Sequence, residues 1–216
     1  GGGGVAGAGD AAGGDRGGLN WLQTGAALAY NAPMSAALAF MPPRTLEEFL
    51  DWVPLQGERF EWDGVQPVAM VGGTAGHSEL AARVGEALRA KLRGGPCRVF
   101  RSDIGVRTED GSRVRFPDLS VTCSPVPRSA LAVPDPVFIL EVLSESSAAI
   151  DHGVKRAEYP ALPSLSRYVM LAQDAPIALI CAREEGFSER QEREALALPE
   201  FGLTLPLSDL YAGLLD

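Results

Sequence analysis

Val137-Phe-Ile-Leu-Glu-Val-Leu143 is the stretch on which the fold turns. Apolar residues follow one another here without alternation, the mark of a central strand covered on both faces. A sheet with a layer packed on each side is therefore expected around it. Inside the run stands Glu141. An ionised carboxylate desolvated among such neighbours costs on the order of several kcal/mol unless something compensates it. A metal ion and a buried cation are the two natural compensators, and a purely structural Glu–Arg pair is the plainer alternative.

Working outward, Asp151–Tyr159 reads as a helix ended by Pro160, followed by strands at Arg167–Ala172 and Ile177–Ala182. Leu203–Leu214 reads as a turn and a short closing helix. On the N-terminal side, Val99–Thr108 and Val114–Cys123 flank the turn Glu109-Asp-Gly-Ser112 as a hairpin. Before it, Leu80, Ala81, Val84, Leu88 and Leu92 make one stripe of a helix from His77 to Arg93, stopped by Gly94-Gly95-Pro96. Arg59-Phe-Glu-Trp-Asp-Gly64 is a short strand entering an Asp-Gly turn, with Pro67–Val71 as its return. Thr45-Leu-Glu-Glu48 is a capping box that opens a first helix. This order predicts an α/β (α+β) sandwich, a central mixed β-sheet flanked by helices.

Residues 1–33 are Gly- and Ala-rich and have no sustained period, so they cannot offset their own ordering entropy. They are expected to be a tail or an over-extended start ahead of Met34, with a single domain over 34–216. No apolar stretch approaches the roughly 20 residues of a membrane span, and a cytoplasmic protein without membrane contact is expected. Cys97, Cys123 and Cys181 fit neither a zinc spacing nor a disulfide framework, so buried thiols are expected. The net charge of −9 argues against bulk affinity for nucleic acid but not against a local basic face. Arg83, Arg89, Lys91, Arg93, Arg98 and Arg101 form one such cluster, and Arg107, Arg113 and Arg115 another; a solvated surface is the bland reading of both.

Two further residues draw attention to the neighbourhood of Glu141. Pro117-Asp118 opens a strand whose Leu119, Val121 and Cys123 share one face, leaving Asp118 on the other with Ser120 and Thr122. Two carboxylates on neighbouring strands suit a hard cation such as Mg²⁺ or Mn²⁺. Lys155 is one of only two lysines among 19 basic residues. An ammonium can give or take a proton where a guanidinium cannot, although Asp151 or Glu158 could equally hold Lys155 in a helix-surface pair. His77 shares the face of Leu80 and Val84 and reads as a core histidine.

These residues resemble a known family. Arg59-Phe-Glu-Trp-Asp-Gly64, Gly94-Gly-Pro-Cys-Arg-Val-Phe100, Pro117-Asp118, Val137–Ser144, Asp151-His-Gly-Val-Lys155 and Leu162-Pro-Ser-Leu165 stand in the order of the Uma-two family. That family comprises restriction-type endonucleases of the PD-(D/E)XK superfamily. The resemblance runs from about Thr45 to the closing Leu203–Tyr211. It implies a restriction-endonuclease-like fold and metal-dependent hydrolysis of phosphodiester bonds in nucleic acid, DNA before RNA. It implies Asp118 and Glu141 as ligands of Mg²⁺ or Mn²⁺, with the Val142 carbonyl beside them. The superfamily lysine, two residues past the acid elsewhere, falls instead on the following helix at Lys155, and Glu61 matches a further family acid. A homodimer is expected only by analogy with enzymes that cut both strands. A catalytically inactive nucleic-acid-binding module of the same fold and a protein-interaction scaffold are the competing readings.

Overall fold

The computed structural model describes residues 41–70, 72–144 and 150–215, together with Gly1. Gly1 apart, the stretch expected to be a tail lies outside them, as does Met34.

The first helix, α1 (Leu46–Trp52), starts at the expected cap: the Thr45 side chain accepts from the Glu48 amide, while Glu48 reaches back past Thr45 to the Arg44 amide. Its Leu46, Phe49 and Trp52 pack on Trp62 and Val114. A second helix, α2 (Ala75–Lys91), is capped by Thr74, and the sequence stripe Leu80, Ala81, Val84 and Leu88 is buried. Burying one such side chain is worth about 1.5–3 kcal/mol for the larger members, so the stripe fixes which face of α2 meets the sheet. Gly85 lets that face approach closely, since a Cβ there would lie 3.2 Å from Leu119 Cδ2.

Twelve strands follow in chain order: β1 (Phe60–Trp62), β2 (Pro67–Ala69), β3 (Arg98–Arg101), β4 (Val106–Arg107), β5 (Val114–Arg115), β6 (Leu119–Thr122), β7 (Pro136–Leu143), β8 (Arg167–Ala172), β9 (Ala178–Ala182), β10 (Glu189–Glu192), β11 (Ala195–Leu198) and β12 (Leu203–Pro206). The main sheet runs β10-β9-β8-β7-β6-β3, with only β7 and β8 parallel. The 137–143 run is its centre, as a strand apolar on both faces must be. Helix α2, the β11–β12 pair and a closing turn of helix, α3 (Leu207–Leu210), cover one face with Leu119, Leu140 and Val142. Tyr159, Leu162 and Leu165 cover the other, against Ile139, Tyr168 and Met170.

Four expectations need correction. Leu203–Pro206, expected as a turn, is the strand β12 paired with β11. The long hairpin 99–108/114–123 is two separate pieces. β3 and β6 join the main sheet, whereas β4 and β5 pair with β1 and β2 in a small sheet of order β2-β1-β5-β4. Pro117, which has no amide to donate, and the turn at residues 102–103 break the two long strands there. The segment 151–159 is not one regular helix: Ile150–Lys155 winds in wide π-type turns, Arg156–Glu158 is α-helical, and Tyr159–Ala161 tightens to 3₁₀ at Pro160. Finally, Cys97 and Cys123 are not buried thiols. They form a disulfide between the chain ends adjoining β3 and β6, with Cα atoms 3.8 Å apart, and only Cys181 is free and buried. The antiparallel register, which pairs Arg98 with Thr122, sets the two cysteines opposite each other, a relation invisible in their spacing. Among the described residues, no helix is long and apolar enough to cross a membrane.

Candidate active site

Strands β6 and β7 run antiparallel with Leu119 opposite Leu140. That register brings Asp118, just ahead of β6, beside Glu141 and Val142. The two acids are tied by main chain: the Asp118 amide donates to Glu141 Oε2 at 3.3 Å, and the Val142 amide donates to Asp118 Oδ2 at 2.8 Å. Each carboxylate is thus aimed by the other's strand. Charge-assisted bonds of this kind are stronger than neutral ones and fix geometry as well.

The compensator that Glu141 demands is a cation. Lys155 Nζ donates to Glu141 Oε1 at 2.8 Å and lies 3.0 Å from Glu61 Oε1. All three residues are buried, Glu141 and Lys155 each at 4 % exposure. Neither surface pair expected for Lys155 describes this contact, and the charge facing Glu141 is that of a lysine rather than the arginine of a plain Glu–Arg pair. Tyr159 Oη also donates to Glu141 Oε1, at 3.3 Å.

Glu61 comes from β1 of the small sheet. Its carboxylate accepts from the Phe116 amide at 3.1 Å and from Arg115 Nη1 at 3.3 Å. Arg115 in turn grips Glu158 through both Nε and Nη2. Burial works against the Arg115 charge, but the hydrogen bonds it donates to Glu158 and the nearby charge of Glu61 hold its guanidinium above the ordinary value. The small sheet is therefore tethered to the main one through Glu61, Arg115 and Lys155.

His77 is the residue the sequence reading placed elsewhere. It stands in the first turn of α2, and its Nε2 lies 3.0 Å from Asp118 Oδ1. An ionised carboxylate can only accept, so Nε2 donates. Gly73 leaves room for the ring: a Cβ there would lie 2.8 Å from His77 Cδ2. The local signal was Gly73 ahead of Thr74 and His77, a residue without a Cβ where the imidazole approaches the chain.

Asp118, Glu141, Lys155, Glu61, Val142 and His77 all line one cavity of about 290 Å³, between the N-terminus of α2 and the two sheets. All four charged residues singled out in the sequence thus meet there. Two carboxylates facing shared space are the donor chemistry of a hard divalent cation, and each oxygen has a second lone pair beyond the bond it accepts. The residues fit such an ion in kind. Among the described residues, no set of three or more His, Cys, Asp and Glu side chains is drawn together around a single metal position. Glu61, the third acid, is instead engaged by Lys155 and Arg115.

Comparisons with known proteins agree with this architecture. Residues 46–214 match the model of the Uma2 family, whose description is "Putative restriction endonuclease". A Synechocystis protein, "Uncharacterized protein slr1290", is 32% identical over 178 residues, covering 80% of this chain and 94% of that protein. A second Synechocystis protein, "Uncharacterized protein sll1609", is 25% identical over 155 residues, covering 70% and 84%. A crystal structure from Anabaena variabilis, described as "a putative nuclease belonging to DUF820", shares the fold with a TM-score of 0.62 at 16% identity. The match covers 79% of this chain and 98% of that one. The mixed sheet and its helices are therefore of the restriction-endonuclease-like kind.

Proposed function

The chain belongs to the Uma2 family of restriction-type nucleases, and from that premise we propose that it is a metal-dependent endonuclease hydrolysing phosphodiester bonds in DNA. One observation carries the reading: Asp118 and Glu141, locked to each other through main-chain amides, face a cavity in which a buried lysine bridges Glu141 and Glu61.

Asp118 and Glu141 are the residues that would hold Mg²⁺ or Mn²⁺, with the Val142 carbonyl as a third oxygen. Such an ion supplies Lewis-acid polarisation of the phosphate and a more acidic water. The rest of the work falls to the protein. Val142 N–H and His77 hold Asp118 in one orientation, while Tyr159 and the Asp118 amide do the same for Glu141. Glu61 keeps the Lys155 ammonium at the cavity wall, where its charge favours the extra negative charge that develops on the phosphate. A proton passing between Lys155 Nζ and an attacking water is within its chemistry and outside that of an arginine. Cutting both strands of a duplex calls for two such sites, as in a homodimer.

The test is plasmid cleavage by the full chain with Mg²⁺, with Mn²⁺ and with chelator, for the wild type and Asp118→Asn. Metal-dependent cleavage by the wild type and its loss in Asp118→Asn are expected. DNA binding with no cleavage under any metal would reduce the protein to a nucleic-acid-binding module. Neither binding nor cleavage would leave an interaction scaffold.

A further inference from the structure

Among the described residues the two buried guanidinium groups are both engaged by acids: Arg115 by Glu61 and Glu158, and Arg167 by Glu184 and Glu200. Two arginines at the mouth of the acidic cavity are not. Arg59 and Arg101 both line it, both are exposed, and neither pairs with a carboxylate among the described residues. Arg59 Nη1 donates to Ser102 Oγ at 3.0 Å, which draws its guanidinium to the residue next to Arg101. The two cations thus approach one side of the mouth from different sheets.

Their positions follow from strand alternation. Arg59 lies two residues before Glu61, so an extended chain places both on the cavity side. Arg101 ends β3 opposite Leu119, next to Asp118, and continues the face of Val99 towards the N-terminus of α2. Acids lie on the floor and guanidinium groups that no acid engages among the described residues lie on the rim. A phosphodiester backbone is the ligand whose chemistry matches that order. One phosphate goes to the floor, and its neighbour needs cationic donors in a fork that matches phosphate oxygens.

Resting on the nuclease reading above, we infer that Arg59 and Arg101 form a phosphate clamp. It seats the backbone phosphate next to the one cleaved and so positions the strand over Asp118 and Glu141. These are positioning residues, and the clamp explains how a chain of net charge −9 could hold a polyanion through a small local field.

Fluorescence anisotropy tests the clamp. A labelled DNA duplex is titrated in chelator with Asp118→Asn protein, from about 50 to 200 mM salt, so that nothing is cut. Adding Arg59→Ala and Arg101→Ala should weaken binding by roughly tenfold or more and lower the log–log salt slope by about 1 for each arginine. Arg44→Ala with Arg128→Ala, which removes the same charge at exposed positions away from the cavity, should change both far less. Stabilisation of otherwise wild-type protein by Mn²⁺ should be unaltered in the Arg59/Arg101 variant. Equal binding and equal slope in the two double variants would overturn the clamp. Wild-type cleavage alongside that result would leave the nuclease reading standing. Arginine-dependent binding with no wild-type cleavage would do the reverse.

Discussion

The two ends of the parallel pair β7–β8 hold similar ingredients to different effect. At one end Arg167, opposite Phe138, is buried and bonded to Glu184 and Glu200, while the Cys97–Cys123 disulfide closes the neighbouring strands. Towards the other end Glu141 is buried and bonded to Lys155, with Glu61, Arg115, Asp118 and His77 around it. At the Arg167 end the cation is the buried partner and its acids reach outward, Glu184 being 56% exposed. Burial disfavours the Arg167 charge and the two acids outweigh it, so the group stays ionised above its ordinary range. At the Glu141 end charges of both signs are buried together, Glu61 and Glu141 with Lys155 and Arg115, and Glu61, Glu141 and Lys155 border a cavity. Counting ion pairs would not tell the ends apart; what separates them is whether the carboxylates are buried along with their cations and whether space adjoins them.

The largest expected effect concerns Lys155 and Arg167, a buried cation from each end. Lys155→Arg keeps the charge that Glu61 and Glu141 require, so folding should survive, yet cleavage should fall by roughly 100- to 1000-fold, or about 2.7–4 kcal/mol. Arg167→Lys should leave cleavage near the wild-type rate. Near-normal turnover by Lys155→Arg in a plasmid assay would erase the contrast and make both ends structural.

Reducing the disulfide should lower stability by about 2–4 kcal/mol, read as a shift in the urea midpoint with and without dithiothreitol. The unreduced chain, once denatured, should expose one titratable thiol, that of Cys181. Three thiols before reduction and no midpoint shift would remove the staple from the Arg167 end.

Divalent ion should act only at the Glu141 end. Mn²⁺ at about a hundred times its dissociation constant should stabilise the wild type by roughly 2.7 kcal/mol by mass action. Arg167→Ala should respond as the wild type does, and Asp118→Asn should not respond. If wild type and Asp118→Asn respond alike in thermal melts, these carboxylates are not where the ion binds.

Arg167→Ala itself should cost about 1–3 kcal/mol. The partners it strands are partly hydrated, which places it below the 3–5 kcal/mol typical of breaking a fully buried pair. Chemical denaturation gives the number, and a loss of cleavage without a loss of stability would contradict the division between the two ends.

Much of this arrangement could be read along the chain because its signals are local. Glu141 stands out wherever the fold places it, since no strand interior tolerates an uncompensated carboxylate. The stripe of α2 and the cap at Thr45 depend on spacings of three and four residues, and both are present in the structure. The features that escaped are relations between distant segments. His77 kept the helical spacing of core residues, and only the approach of α2 to β6 turned it towards Asp118. Strands β10 and β11 carry too much charge or too little length to announce themselves, and pairing with β9 and β12 makes them strands.

By itself, then, the sequence determined a buried acid in a central strand, a second acid at the head of another, a conspicuous lysine, and the helix α2 that packs on those strands. Periodicity and desolvation act residue by residue, and they need no knowledge of the partner. Only the tertiary structure decided that the compensating charge is Lys155, that Glu61 and Arg115 bring the small sheet to the site, and that Cys97 meets Cys123. Each of these is a contact between segments far apart in the chain. Strand register and the packing of one layer on the other set such contacts, and no local spacing encodes them.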